Sequence, residues 1–238
     1  MTLSICILLK NNYSNLLSCL DSIKNVANEI IIINASNALI TRLFPTNEFS
    51  INTKIIDYKW NDNFSDARNV GLKKATCQWI LSLNANDTVG NPKCILPYLN
   101  SPNDFFFIKF FENDIPLDEM KMNHNLEIET NSIKYQETEY ISLKPMLIKN
   151  NKGLKYHGRI YESLSQNNTD NENSPNIAEI NIRHYFSSIE HLNNEVKLES
   201  SILSKAIDKN DSEKLFYQAK LLSLKINNFS NKSNNIEL

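Results

Sequence analysis

Residues 79–87 read Trp79-Ile80-Leu81-Ser82-Leu83-Asn84-Ala85-Asn86-Asp87, WILSLNAND, an apolar strand running into a polar turn. The same pattern stands twice upstream. LSICILL at 3–9 leads into Lys10-Asn11-Asn12, and EIIII at 29–33 leads into Asn34-Ala35-Ser36-Asn37. Continuous apolar runs of this length mark strands covered on both faces, as in a parallel sheet. Ligands of such sheets sit at the carboxyl ends of the strands, so a site is expected at these three turns.

Helical spacing fills the gaps. Leu16, Leu17, Leu20, Ile23 and Val26 share one helical face, with Ser14 placed to cap it. Residues 54–58 (KIIDY) read as a third strand, 64–75 as a helix with Phe64, Ala67, Gly71 and Ala75 on one face, and 78–83 as a fourth strand. Strand and helix alternating over the first 90 residues imply right-handed βαβ units. Further strands are expected at 104–111, 144–148, 155–157 and 177–185, with a polar, mobile loop at 166–176. Residues 188–209 and 212–226 read as a helical hairpin. It amounts to about one repeat unit, which cannot bury its own face, so it should pack on the sheet domain or on a second chain.

The bulk numbers exclude more than they assign. The chain has 238 residues, 41% hydrophobic, with net charge −2, enough for a core and without a general drive toward nucleic acid. Asparagine fills about one position in six, so a single asparagine is a weak signal. Cys6, Cys19, Cys77 and Cys94 are dispersed and read as buried reduced thiols. The short run at 1–9 lacks a charged leader region, and no stretch nears the ~20 apolar residues of a membrane span, so a cytoplasmic setting is expected. With four glycines and neither G-x-G-x-x-G nor a P-loop, the chain does not read as a dinucleotide oxidoreductase or an NTPase.

Several ordered stretches resemble family 2 glycosyltransferases of the GT-A fold, in particular a bacterial branch with TPR-like helices after the catalytic domain. They are Ser4 to Asn11, Leu17 to Ile23, Glu29 to Ile33, Trp60-Asn61-Asp62-Asn63-Phe64-Ser65-Asp66-Ala67-Arg68-Asn69, Ala75 to Leu81, Gly153 to Glu162, and Ile182 to Tyr185. The resemblance implies an α/β GT-A (nucleotide-diphospho-sugar transferase) fold, a mixed, mostly parallel sheet flanked by helices, plus a C-terminal helical hairpin. Its expected division is a transferase-like domain at 1–186, the hairpin at 187–226 and a disordered tail at 227–238. The implied partners are a nucleotide sugar, a UDP-sugar first, and an unidentified acceptor glycan, lipid or peptide. No nucleic acid is implied, and a homo-oligomer through the C-terminal helices is an option.

The departures fall on the charged positions. Where the family carries an Asp-x-Asp with a further acid, this chain has Asn84-Ala85-Asn86-Asp87. Asn12 stands where an acid is usual, Asn34-Ala35-Ser36-Asn37 where Asp-x-Gly-Ser is usual, and Tyr161-Glu162 where His-Glu is frequent. The family's divalent ion, Mn²⁺ or Mg²⁺, favours charged oxygen ligands, so a weak or absent metal requirement is expected. Neutralising a departing nucleotide diphosphate then falls to basic residues, with Arg68, Lys152, Lys155, Arg159 and Arg183 as candidates.

By the same resemblance Lys10, Asn11, Asn34, Arg68, Asn69, Asn84 and Asn86 are expected at the nucleotide, and Glu162 as the general base of an inverting transfer. Asp87 and His184 are weak metal candidates. Bland alternatives stand beside each. Asn34, Asn84 and Asn86 also suit plain turns, and Asp87 a turn carboxylate. Arg68 could pair with Asp62 or Asp66, Glu162 with Arg159 or Arg183, and His184 could be a satisfied structural residue. Trp60 and Phe64 read as core or pocket wall. A catalytically inactive relative acting as a binding or scaffold protein is the alternative function, and an unrelated activity on the same sheet is a third.

Overall fold

The computed structural model describes residues 1–10, 15–36, 40, 51–112, 140–166, 176–185 and 189–208. Its elements run β1 (Leu3–Leu9), α1 (Leu16–Ile23), β2 (Glu29–Asn34), β3 (Asn52–Asp57), α2 (Phe64–Lys74), β4 (Trp79–Asn84), β5 (Asp87–Val89), a 3₁₀ helix (Pro92–Asn100), β6 (Phe105–Glu112), β7 (Tyr140–Lys149), β8 (Leu154–His157), β9 (Ser163–Gln166), β10 (Ile177–His184) and α3 (Ile189–Asp208). An eight-stranded sheet has the order β3-β2-β1-β4-β7-β6-β10-β5, and β8 and β9 form a separate hairpin. Strands β3, β2, β1 and β4 are parallel, while β7 runs antiparallel to both its neighbours β4 and β6. This mixed, mostly parallel sheet with flanking helices is a GT-A fold.

The apolar runs exist because both faces of the sheet are covered. Leu3, Ile5, Ile7 and Leu9 of β1 join Ile30, Ile32, Trp79, Leu81 and Leu83 in a core over α1. The alternate residues, Cys6, Leu8, Ile31, Ile33 and Ile80, pack against Ala67 and Leu72 of α2. All four cysteines are free.

Helix α2 starts where the Asn63 side chain accepts the Asp66 N–H, and it runs close to the sheet through Gly71. A Cβ at Gly71 would lie 3.0 Å from Ile33 Cδ1 and 3.1 Å from Cys6 Cβ. Gly71→Ala should therefore destabilise by about 1–2 kcal/mol, overpacking outweighing a helix-propensity gain of about 1 kcal/mol. Urea unfolding would read it.

At the amino ends of the strands a buried carboxylate joins four segments. Glu29 accepts from Ser4 Oγ (2.5 Å), Lys54 Nζ (2.7 Å), Thr76 N (2.9 Å) and Thr76 Oγ1 (3.0 Å).

Helix α3 lies on the domain. Ile202, Leu203 and Ala206 are buried with Ile160, against Trp60 and Phe64. Lys205 pairs with Asp62 at 2.6 Å, and Tyr161 Oη donates to Glu199 at 3.2 Å. The expected second helix at 212–226, the tail at 227–238, Ser14 as a cap, and most of the expected loop at 166–176 lie outside the described residues. Among the described residues no helix is long and apolar enough to cross a membrane.

Candidate functional site

On the face toward α2 the strands turn polar as they approach their carboxyl ends. Down β4 the sequence of side chains is Ile80, Ser82, Asn84; down β1 it is Cys6, Leu8, then Lys10 just past the strand end. Register places Leu8 beside Asn84, so the two polar ends are neighbours. Strand alternation alone delivers them to one place.

Arg68, on the sheet-facing side of α2, fills the space over β4. Its Nε donates to Glu162 Oε1 at 2.6 Å, Nη1 to Ser82 Oγ at 3.1 Å, and Nη2 to Asn84 Oδ1 at 2.9 Å. The Tyr156 ring lies 5.8 Å from the guanidinium. Burial opposes the charge, but Glu162, Tyr156 and Asp87 together outweigh it and hold the pKa above the ordinary arginine value. Arg68 thus ties Glu162, which comes 94 positions later, to the Asn84 turn. Its partner is Glu162 rather than Asp62 or Asp66, and Glu162 pairs with Arg68 rather than with Arg159 or Arg183.

The turn is held from inside. Asp87, fully buried, accepts the Asn84 N–H through Oδ2 at 2.6 Å and faces His184 Nδ1 through Oδ1 at 2.6 Å. Asn86 Nδ2 lies 2.8 Å from His184 Nε2 and 3.2 Å from the Tyr185 carbonyl. Glu195 of α3 reaches to 3.6 Å from His184 Nε2. Burial works against a charged ring, but hydrogen bonding to Asp87 and then to Glu195 raises its pKa to about 9. A neutral ring would accept from Asn86 at Nε2. Two carboxylates beside one buried ring favour the imidazolium, with Glu195 as an ion-pair partner at 3.6 Å, whereas the 2.8 Å contact from the Asn86 amide is the hydrogen bond of the neutral tautomer.

This donor set does not fit a divalent cation as arranged. The turn's one carboxylate is shared between a backbone N–H and the His184 ring, and Asn84 Oδ1 holds Arg68. Among the described residues no group of three His, Cys, Asp or Glu side chains could hold a metal ion.

The remaining candidates separate. Asn34 donates to Asp57 Oδ1 at 2.7 Å and accepts from the Ser36 N–H and hydroxyl, closing the loop after β2. Asn69 clamps the Tyr156 backbone with both ends of its amide, at 2.8 and 2.9 Å, fixing β8 to α2. Lys152 lies 3.3 Å from Asp104, which precedes β6, and neighbouring Asn150 bonds the Ala75 and Cys77 carbonyls ahead of β4. That is the opposite end of the sheet from Asn84, which removes Lys152 from the cations that could meet a diphosphate. Lys155 is exposed on β8, and Arg183 is exposed with its guanidinium 5.7 Å from the Phe111 ring. The Arg159 carbonyl receives the Phe64 N–H. Asn11 lies outside the described residues.

Lys10 reaches Trp60. Its Nζ stands 3.7 Å from the Trp60 ring centroid and 5.4 Å from that of Phe64, and the two rings meet edge to face. Sequence reasoning missed this seat, together with Ser82, Tyr156 and Glu195. Strand alternation from Cys6 through Leu8 could have put Lys10 on the α2 face; nothing local pointed to Glu195.

The profile described as Glycosyl transferase family 2 matches residues 4–157. Over 84 residues the chain is 31% identical to a TPR repeat-containing protein of Synechococcus elongatus, a match covering 35% of this chain and 20% of that protein. The chain thus matches about a fifth of that relative's length. Among solved structures, S. aureus TarS 1-349 superposes with a TM-score of 0.49 at 15% identity, over 97% of this chain and 72% of that one. GalNAc-T7, solved with UDP, GalNAc and Mn²⁺, superposes with a TM-score of 0.45 at 13% identity, over 79% and 44%.

Proposed function

The chain belongs to glycosyl transferase family 2, and on that footing we propose that it transfers a sugar from a nucleotide-diphosphate donor, with inversion and without reliance on a divalent metal. The observation that carries this reading is the Arg68 link, which holds the Glu162 carboxylate against the turn after β4. Arg68 occupies Oε1 and leaves Oε2 to take the acceptor's proton. The acceptor oxygen then attacks the anomeric carbon from the face opposite the diphosphate, which departs with the bonding electron pair. The lack of an uncommitted carboxylate in the turn supports the metal-free part.

Calorimetric titration with UDP, once with Mn²⁺ and once with EDTA, tests the reading, with GDP and other nucleotides following. Binding in EDTA, unaltered by Mn²⁺, is the expected result. Binding only with Mn²⁺ overturns the metal-free part. The double change Asn84→Asp with Asn86→Asp should make affinity respond to Mn²⁺ by about tenfold or more, since charged oxygens then face the site. An unchanged metal response would remove this turn from the donor site.

A second reading, a non-catalytic binding or scaffold protein, is favoured by one observation: Asn34, Asn69 and Arg68 all serve internal hydrogen bonds. Failure of the folded protein to bind any nucleotide would overturn the first reading and favour this one.

A further inference from the structure

The Lys10 ammonium, just past the carboxyl end of β1, is a buried basic group whose hydrogen-bonding capacity is unused. Its Nζ is shielded from solvent and has no hydrogen-bond partner among the described residues. Its attraction is to the face of Trp60, at 3.7 Å. The acid beside it, Asp62, is already engaged by Trp60 Nε1 at 2.9 Å and Lys205 Nζ at 2.6 Å. A ring face satisfies the charge in part and accepts none of the three N–H groups in the normal way. Leaving a desolvated ammonium without an acceptor is unfavourable, and an anion brought alongside would relieve it. Arg68, by contrast, has each of its three nitrogens bonded inside the protein.

Lys10 is also in the right place. It follows β1 directly, at the carboxyl end, and its strand neighbour Leu8 pairs with Asn84. The four-carbon stem allows Nζ to leave the indole without moving the backbone.

We propose that Lys10 is the ligand of the donor's diphosphate, supplying the positive charge that a bound cation supplies where the turn is acidic. This rests on the transferase reading above. When the bond from the anomeric carbon to the β-phosphate oxygen breaks, the electron pair goes to that oxygen and the acceptor's proton goes to Glu162. Lys10 gains and loses no proton; its Nζ exchanges the Trp60 face for a phosphate oxygen and stabilises the added charge. Burial lowers its pKa to about 8, with Asp62 and Glu195 raising it in opposition and Lys205 lowering it further, so the charge is still present at neutral pH.

The test compares UDP, uridine and inorganic pyrophosphate in EDTA, by calorimetry, on wild type, Lys10→Met and Lys10→Arg. Methionine keeps the stem on Trp60, and thermal unfolding checks that each variant is folded. Lys10→Met should weaken UDP and pyrophosphate about tenfold or more, a lost charge-assisted bond, and leave uridine unchanged. Lys10→Arg should recover most of the UDP affinity. If Lys10→Met binds UDP as wild type does, or loses uridine in equal measure, the assignment of Lys10 falls while the transferase reading stands. If folded wild type binds none of the three, both fall.

Discussion

Arg68→Met should lower the unfolding free energy by about 3–5 kcal/mol, the usual effect of removing one partner of a buried ion pair. Arg68 and Glu162 retain only 10% and 16% of their side-chain exposure, and the bond between them is 2.6 Å. Methionine would leave the Glu162 carboxylate desolvated and unpaired, and would take donors from Ser82 and Asn84 as well. Urea unfolding at neutral pH would measure the loss. Arg68→Lys should rescue little, because one ammonium cannot reproduce a fork that reaches three acceptors, two on β4 and one at Glu162. On the proposed transferase reading, sugar-transfer rate should fall about 100-fold in both variants, since Glu162 and the turn lose their common anchor. A lysine variant of near-wild-type stability and rate would show that the link is charge alone.

The second large effect is at the other end of the sheet and concerns acid. Burial pushes the Glu29 pKa upward, but hydrogen bonds from Lys54, Ser4 and Thr76 overcome it and bring the value down to about 2. A carboxylate held below its ordinary value of 4.5 stabilises the fold fully above that value. The contribution fades as pH falls from there toward 2. Glu29→Gln should therefore destabilise by about 2 kcal/mol at pH 7, discounted because Lys54 is half-exposed, and by progressively less between pH 4.5 and 2. Urea titrations at pH 7, 4 and 2.5 would trace this convergence. A constant difference at all three would place the effect in packing rather than in the charge.

The sheet was legible in the sequence because its strands are buried on both faces. LSICILL, EIIII and WILSL admit few other structures, and the observed β1, β2 and β4 agree with those runs to within one residue. β5 was not legible: three residues of a short strand, Asp87–Val89, acquire their conformation from pairing with β10. Nor were the site's pairings. Sequence neighbours offered Asp62 and Asp66 to Arg68, yet Asp62 turns to Trp60 and Lys205, and Asp66 to Asn61. Arg68 follows buried Ala67 on the inward side of α2, so its partners are whatever the sheet brings from beyond, and spacing along the chain carries no information about that. The Asn-for-Asp pattern in the turn was readable, but its outcome, Asp87 on His184 and His184 against Glu195, needed the fold.

Helix α3 has a consequence for how this site can be moved. The matched profile ends at residue 157, and the described groups from Glu162, His184 and Glu195 to Lys205 all come later. Through Glu195, Glu199 and Lys205 the helix grips three separate segments: the end of β10, the Tyr161 loop and the Trp60–Phe64 bend. It acts as a tie bar. A pull or tilt applied to its far end would be felt at the His184 cluster, beside Glu162 and under Lys10 together. A displacement of α3 would therefore have to break or carry contacts in all three segments at once.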